Sequence, residues 1–380
     1  MDRAPRLAMV AGEASGDLLA GLLLDGLNAR WPGLRTMGIG GPLMGARGFD
    51  AWWPSEKLAV RGYVEVLRHY REIAGIRREL KTRLLGEHPD LFIGVDAPDF
   101  NLGLEESLRS AGIRTVQFVC PSIWAWRAGR VAQIRRSADH VLCIFPFEPE
   151  LLAQHGIAAT YVGHPIASVI PMQPDRMAAR RALGLDEEGQ VLAILPGSRA
   201  SEVQYLAPTF FAAAALIQRA RPGIRFLVPA MASLRAEVEA AARSAGLDKN
   251  LSIVTGQSHA VLAACDLTLI ASGTATLEAA LFKRPMVIAY RMNWLSYQIM
   301  RRKGLQPWVG LPNILCREFV VPELLQDQAN PPALAAAVLA WLEAPDTMTA
   351  IEAKFTALHG ELQRDTATLA TDAIHKTLES

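Results

Sequence analysis

The sequence predicts an α/β protein of two doubly wound domains facing each other across a cleft. Three observations predict it. Short apolar runs rich in β-formers alternate with longer segments of helical periodicity, the pattern of parallel strands joined by right-handed crossovers. The length, 380 residues, exceeds one ordinary core and suits two domains. Near the middle, Gly163–Asp175 carries Pro165, Pro171 and Pro174 and resembles a linker.

In the first half the strand-like runs are Leu7–Ala11, Thr36–Ile39, Leu91–Val95, Thr115–Val119, Val141–Phe145 and Thr160–Val162. In the second half they are Val191–Leu195, Ile224–Val228, Leu251–Val254, Leu267–Ala271 and Pro285–Ala289. Helical periodicity fills most gaps, as over residues 202–219 and 234–245. The expected domains are 1–168 and 169–345. A helical segment, 346–380, is expected to pack back on the first domain or on a second subunit. No internal repeat or low-complexity tract interrupts this organisation.

Composition narrows the function. The chain is 51% hydrophobic and 20% charged, so it is globular. Its net charge of +1 argues against bulk attraction to nucleic acid. Cys120, Cys143, Cys265 and Cys316 lie far apart and form no C-x-x-C pair, which fits a reducing compartment without structural zinc. Glu13 and Asp17 interrupt the first apolar stretch, so it reads as strand, turn and helix rather than as a signal peptide. No apolar run reaches bilayer-spanning length. A cytoplasmic protein is expected, with membrane contact only at its surface.

The chemistry-bearing residues sit where strands end, and ligands of open α/β sheets bind outside the carboxyl ends of strands. Val95-Asp96-Ala97-Pro98-Asp99-Phe100-Asn101 places two carboxylates and an amide directly after a buried run. Pro98 stiffens that turn and disfavours helix at Ala97. The plainer alternative makes Asp99 or Asn101 a helix cap. Val10-Ala11-Gly12-Glu13-Ala14-Ser15-Gly16-Asp17 is a glycine-containing strand-to-helix turn, with Glu13 at the strand's end and Ser15 an alternative cap. It matches neither a dinucleotide fingerprint nor a P-loop. Gly38-Ile39-Gly40-Gly41-Pro42 is a second turn that either borders the cleft or merely reverses the chain. Pro121-Ser122-Ile123-Trp124-Ala125-Trp126-Arg127 offers indole faces for a sugar or acyl chain, with Arg127 and Arg130 for a phosphate. Core packing of both tryptophans is the alternative. His164 is a possible base or phosphate donor, though a lone histidine there is more often structural.

Two turns in the second half suit phosphate. Leu195-Pro196-Gly197-Ser198-Arg199 precedes a helix beginning near Glu202, whose free N–H groups and dipole favour an anion. Arg199 adds a fixed charge for a departing diphosphate. Ser201 and Gln204 form a capping-box pattern, which is compatible with phosphate binding. Ala271-Ser272-Gly273-Thr274-Ala275-Thr276-Leu277-Glu278 combines a close-approach glycine with three hydroxyls. Glu278, about one turn inside the helix, suits two ribose hydroxyls, and Asn313 in Leu311-Pro312-Asn313 is a further donor-contact candidate. A Ser/Thr-capped helix is the alternative.

Two basic stretches could meet lipid. Residues 61–83 hold seven Arg or Lys against three Glu, with Leu67, Tyr70, Ile73, Ile76, Leu80 and Leu84 at helical spacing. Residues 291–303 mix Trp294, Leu295, Tyr297, Ile299 and Met300 with Arg301, Arg302 and Lys303. The alternative is an ordinary surface helix with its apolar side in the core.

Six of these motifs, VAGEASGD, VDAPDFN, PSIWAWR, LPGSR with Glu202, ASGTATLE and LPN, occur in one order across nearly the whole chain. Together they resemble the lipid-A-disaccharide synthases. The resemblance implies a GT-B fold: two Rossmann-like domains, the nucleotide sugar held mainly by the second. It implies an inverting transfer of 2,3-diacylglucosamine from UDP-2,3-diacylglucosamine to 2,3-diacylglucosamine 1-phosphate (lipid X), giving a β(1→6) tetraacyl disaccharide 1-phosphate and UDP. It also implies work at the cytoplasmic face of the Gram-negative inner membrane, as a peripheral protein. Within that chemistry Asp96 is the expected base, with Asp99, Asn101 or Glu13 orienting the acceptor. Ser198, Arg199, Glu202, Ser272, Gly273, Thr274, Thr276, Glu278 and Asn313 are the expected donor-binding residues. No metal, no other cofactor and no nucleic acid is expected, and a homodimer is an open possibility. The rivals are a UDP-N-acetylglucosamine 2-epimerase-like isomerase, the peptidoglycan glycosyltransferase acting on a lipid-linked acceptor, and a non-enzymatic nucleotide-sugar sensor.

Overall fold

A computed structural model describes residues 4–12, 14–58, 63–125, 128–247, 250–292 and 306–380. The chain divides into two compact units, one of residues 1–165 and 362–380, the other of residues 166–361. The first unit holds seven strands: β1 (Arg6–Ala11), β2 (Arg35–Gly40), β3 (Asp50–Pro54), β4 (Leu91–Val95), β5 (Arg114–Phe118), β6 (His140–Cys143) and β7 (Ala159–Tyr161). They form one sheet in the order β3-β2-β1-β4-β5-β6-β7, and each neighbouring pair is parallel.

The second unit holds β8 (Val191–Leu195), β9 (Arg225–Ala230), β10 (Leu251–Thr255), β11 (Leu267–Ala271), β12 (Met286–Tyr290) and β13 (Glu323–Leu325). Their order, β10-β9-β8-β11-β12-β13, is again parallel throughout. In both sheets the chain builds outward from the first strand, then returns to its other side. The winding therefore reverses between β1 and β4, and between β8 and β11. These reversals are the places where such sheets open a crevice for ligands.

The eleven expected strands are all present. The two that the apolar pattern did not announce are β3 and β13, each at one edge of its sheet. An edge strand need not be covered on both faces, so it need not carry a continuous apolar run. β3 is half-exposed along Asp50-Ala51-Trp52-Trp53-Pro54, and β13 has only three half-buried residues. By contrast β4, β8 and β11 are buried at every position.

Helices cover the sheets where their apolar stripes require it. In helix Tyr63–Glu87, Ile76, Leu80 and Leu84 pack with Val10, Phe92 and Leu104 into one core cluster. From Ile76 onward this stripe faces the protein, while Arg78, Lys81 and Arg83 face solvent. The apolar side expected for lipid is thus already occupied over this part. Leu67 and Tyr70 have no described side chain, and residues 293–305, most of the other basic stretch, lie outside the described residues. The Gly163–Asp175 stretch contains a short helix, Pro165–Val169. Of the last two helices, Pro345–Leu362 belongs almost wholly to the second unit. Thr366–Glu379 belongs to the first, where it packs on helix Ala14–Arg30. His375 stands edge-on to Trp31 there, 5.8 Å between ring centres.

Candidate active site

In the first unit, Ala11 pairs with Val95, so β1 and β4 end level and the turns after them are neighbours. Gly12 packs on Ala97 across the reversal. Asp96 and Ala97 both adopt left-handed backbone, with φ of +52° and +42°. Neither residue is a glycine, so the surroundings must hold this conformation. The Asp96 amide donates to Phe118 O at 2.8 Å. Its carbonyl accepts from Asn101 Nδ2 at 2.9 Å and from Gln117 Nε2 at 3.2 Å. The Asp96 residue is half-buried at the mouth of this turn.

Helix Pro98–Arg109 then begins, with Ala97 as N-cap and no side-chain cap. The capping alternative for Asp99 and Asn101 is therefore not the arrangement formed. Asp99 is exposed and its carboxylate accepts from the Arg130 guanidinium. Asn101 is fully buried, and its amide nitrogen is spent on backbone carbonyls. Its side chain thereby holds the Asp96 turn from within. Glu13 lies outside the described residues. Asp17, four residues on, is buried and accepts from the N–H groups of Gly41, Leu43 and Met44, so it fixes the turn after β2.

Trp124 is buried, donates to Glu148 Oε1 at 3.0 Å and stands edge-on to Phe145 and Phe147. It is a core residue, whereas Trp126 and Arg127 lie outside the described residues. Burial lifts the Glu148 carboxyl to about 8, with N–H donors from Phe145 and Trp124 holding the rise back. Burial also lowers His164 to about 4, so its ring is neutral at physiological pH.

In the second unit, Leu195 pairs with Ile270, placing the turns after β8 and β11 side by side. The helix after β8 starts at Ala200, two residues earlier than the sequence suggested. Ser201 therefore lies inside the first turn, and the cap is made by Glu202 instead. Its Oε2 accepts from Ser198 N at 3.0 Å and Arg199 N at 3.3 Å, and its Oε1 from Arg199 Nη1 at 2.9 Å. Gly197 has φ +123°, and a Cβ there would fall 2.6 Å from Glu202 Oε2. Only glycine suits both demands. Ser198 and Arg199 are exposed at this helix start, where N–H groups and dipole favour an anion. Tyr290, at the end of β12, has its hydroxyl pKa raised by burial and by Glu202, with Arg199 opposing.

After β11, Gly273 precedes helix Thr274–Leu281. Gly273 and Thr274 are exposed, and Ser272 Oγ donates to Val309 O at 3.2 Å. Thr276 is buried and donates back to Gly273 O at 2.7 Å, so its hydroxyl braces the turn. Glu278 Oε2 lies 3.3 Å from His259 Nε2. His259 follows β10 and escaped the sequence reading, because nothing in its own segment marks it; its pairing appears only in three dimensions. Asn313 is fully buried, donating to Val321 O and Glu323 Oε1 and accepting from Val320 N and Val321 N. It ties its helix, Leu311–Cys316, to the start of β13 rather than presenting an amide to solvent. Among the described residues no group of three His, Cys, Asp or Glu could hold a metal ion.

Solved structures share this fold. UDP-GlcNAc 2-epimerase from Neisseria meningitidis, bound to UDP-GlcNAc, matches with TM-score 0.62 at 10% identity, over 98% of this chain and 99% of its own. MurG from Acinetobacter baumannii matches with TM-score 0.59 at 16% identity, over 98% of this chain and 100% of its own. Two parallel sheets, each reversing beside a ligand-suited turn, make this a GT-B protein. A family model described as lipid-A-disaccharide synthetase matches residues 7–374. A lipid-A-disaccharide synthase from Albidiferax ferrireducens is 68% identical over 379 residues, 98% of this chain and 97% of that protein. The chain belongs to the lipid-A-disaccharide synthase family.

Proposed function

We propose that the chain transfers 2,3-diacylglucosamine from UDP-2,3-diacylglucosamine to lipid X, 2,3-diacylglucosamine 1-phosphate. The product is the β(1→6)-linked tetraacyl disaccharide 1-phosphate of lipid A biosynthesis, and UDP leaves. Inversion at the anomeric carbon needs one displacement. The acceptor 6-hydroxyl forms the new C–O bond, the bond to UDP breaks with its electron pair, and a base takes the hydroxyl proton. Asp96 is that base in this reading. Asp99 with Arg130, and Glu13, orient the acceptor, while Asn101 holds the Asp96 turn.

The second unit holds the donor. Ser198, Arg199 and the helix start that Glu202 shapes take the diphosphate, together with the Ser272–Thr276 turn. Glu278 holds the ribose, and Asn313 anchors helix Leu311–Cys316. The observation that supports this division most strongly is the matched pair of sheet reversals. One carries an aspartate on a constrained turn, the other two phosphate-suited turns. The lipid-linked acceptor, contact with the inner-membrane surface through the basic face of helix Tyr63–Glu87, and a homodimer complete the reading.

Asp96→Asn tests the base. Loss of a general base costs ~10²–10⁴ in turnover, with UDP binding unchanged. Near-normal turnover of Asp96→Asn would end the assignment.

A further inference from the structure

Beside Gly94 of β4 lies a buried carboxyl, Glu105, to which the reaction described above gives no role. Glu105 is fully buried on helix Pro98–Arg109, and among the described residues neither of its carboxyl oxygens has a hydrogen-bond partner. Asn101 stands four residues earlier on the same helix, so the two side chains share one face. The amide oxygens of Asn101 and Gln117 are likewise buried, with no partner among the described residues. All three surround Gly94. A Cβ at Gly94 would run into Glu105 Oε1 and lie 2.9–3.0 Å from Cβ and Cγ of Asn101. Gln117 is the residue paired with Gly94 across β4 and β5. A glycine in the middle of a buried strand is unfavourable unless something approaches closely, and here the Glu105 carboxyl does.

The amide groups cannot turn over to relieve this. Asn101 Nδ2 is committed to Asp96 O, and Gln117 Nε2 to Asp96, Phe118 and Val119 carbonyls. Four buried acceptor oxygens therefore gather around Gly94 with no donor to them among the described residues. The proton that can serve them without burying a net charge is the one on Glu105 itself. Burial alone raises this carboxyl to about 8.

We propose that Glu105 is a positioning residue for Asp96: its carboxyl O–H donates to Asn101 Oδ1 and so locks the amide that grips the Asp96 carbonyl. The chain of contact runs from Glu105 to Asn101 to Asp96 O, and the left-handed turn at Asp96 and Ala97 depends on it. This rests on the reading of Asp96 as the base.

The test compares Glu105→Leu, Glu105→Gln and Glu105→Asp with Asp96→Asn, measuring kcat, donor KM and the melting temperature of each full-length variant. Leucine removes the donor but also removes a desolvated polar group, so the fold should hold. Turnover of Glu105→Leu is expected to fall at least tenfold, with donor KM within twofold. Glutamine keeps an N–H donor and is expected to stay within threefold of the parent. Aspartate withdraws the group by one methylene and is expected to lose activity. A folded Glu105→Leu with turnover within twofold of the parent overturns the proposal, as does a Glu105→Gln as impaired as a folded Glu105→Leu. If Glu105→Leu does not fold, equal activity of the glutamine and aspartate variants overturns it, and the expected split between them supports it. Inactive Asp96→Asn with fully active Glu105→Leu defeats this inference alone. Active Asp96→Asn defeats the reading of the base, and this inference with it.

Discussion

Replacing Asp17 by alanine should destabilise the first unit through one small turn. The Asp17 carboxylate is buried and accepts from Gly41 N at 3.0 Å, Leu43 N at 2.9 Å and Met44 N at 3.1 Å. These donors open the short helix Pro42–Gly45, whose N-cap, Gly41, has no side chain to serve them. Hydrogen bonds to a charged group contribute roughly 1.5–3 kcal/mol each. The Gly41 and Met44 bonds are buried, while Leu43 N can recover water. Two bonds counted in full give a loss of about 4 kcal/mol. For a unit of this size that lowers the melting temperature by ~8–16 °C. Asp17→Asn keeps one acceptor oxygen and should lose about half as much. Thermal unfolding followed by circular dichroism reads the loss, and calorimetric titration of UDP at low temperature checks that the second unit is intact. A melting temperature of Asp17→Ala within about 2 °C of the parent would show that these bonds do not hold the turn.

Three further outcomes are expected. Gly197→Ala forces a Cβ onto Glu202 Oε2 at φ +123°; strain of ~1–3 kcal/mol should raise donor KM about tenfold, and an unchanged KM would count against diphosphate binding at this turn. Glu105 and Glu148 are raised to about 8 from 4.5. Groups raised in this way contribute stability below the unfolded value, and that contribution is lost as pH climbs through the folded one. The melting temperature should therefore fall between about pH 4.5 and 8, with a shallower slope in Glu105→Gln; an equal slope would show that Glu105 does not titrate as described. Charge reversal at Arg71, Arg77 and Arg78 should weaken co-sedimentation with anionic liposomes while leaving UDP binding intact, and unchanged sedimentation would remove this helix from the membrane reading.

Much of the fold was legible because parallel strands covered on both faces must be apolar throughout. Leu91–Val95 and Leu267–Ala271 announce themselves for that reason. β3 and β13 do not, since an edge needs no such run. The positions of the site turns were legible too, because each follows a strand. The direction of each side chain was not. Asn101 and Asn313 read as ligand contacts by type and place, yet both are buried and bonded to their own chain. The cap after β8 was misplaced because Ser201 and Gln204 fit a pattern that Glu202 satisfies two residues earlier. Glu105 gave no signal of its own, for an acid on an amphipathic helix ordinarily faces water. The clue was Gly94, a gap in an apolar strand that only a close neighbour explains.

A product assay reads the transfer itself. Purified protein is mixed in detergent with UDP-2,3-diacylglucosamine and 2,3-diacylglucosamine 1-phosphate, and the lipids are read by mass spectrometry alongside UDP release. The expected result is a tetraacyl disaccharide 1-phosphate, one UDP per product, and UDP release only when the acceptor is present. A folded, UDP-binding protein that forms no disaccharide, or that isomerises the donor without acceptor, would contradict it.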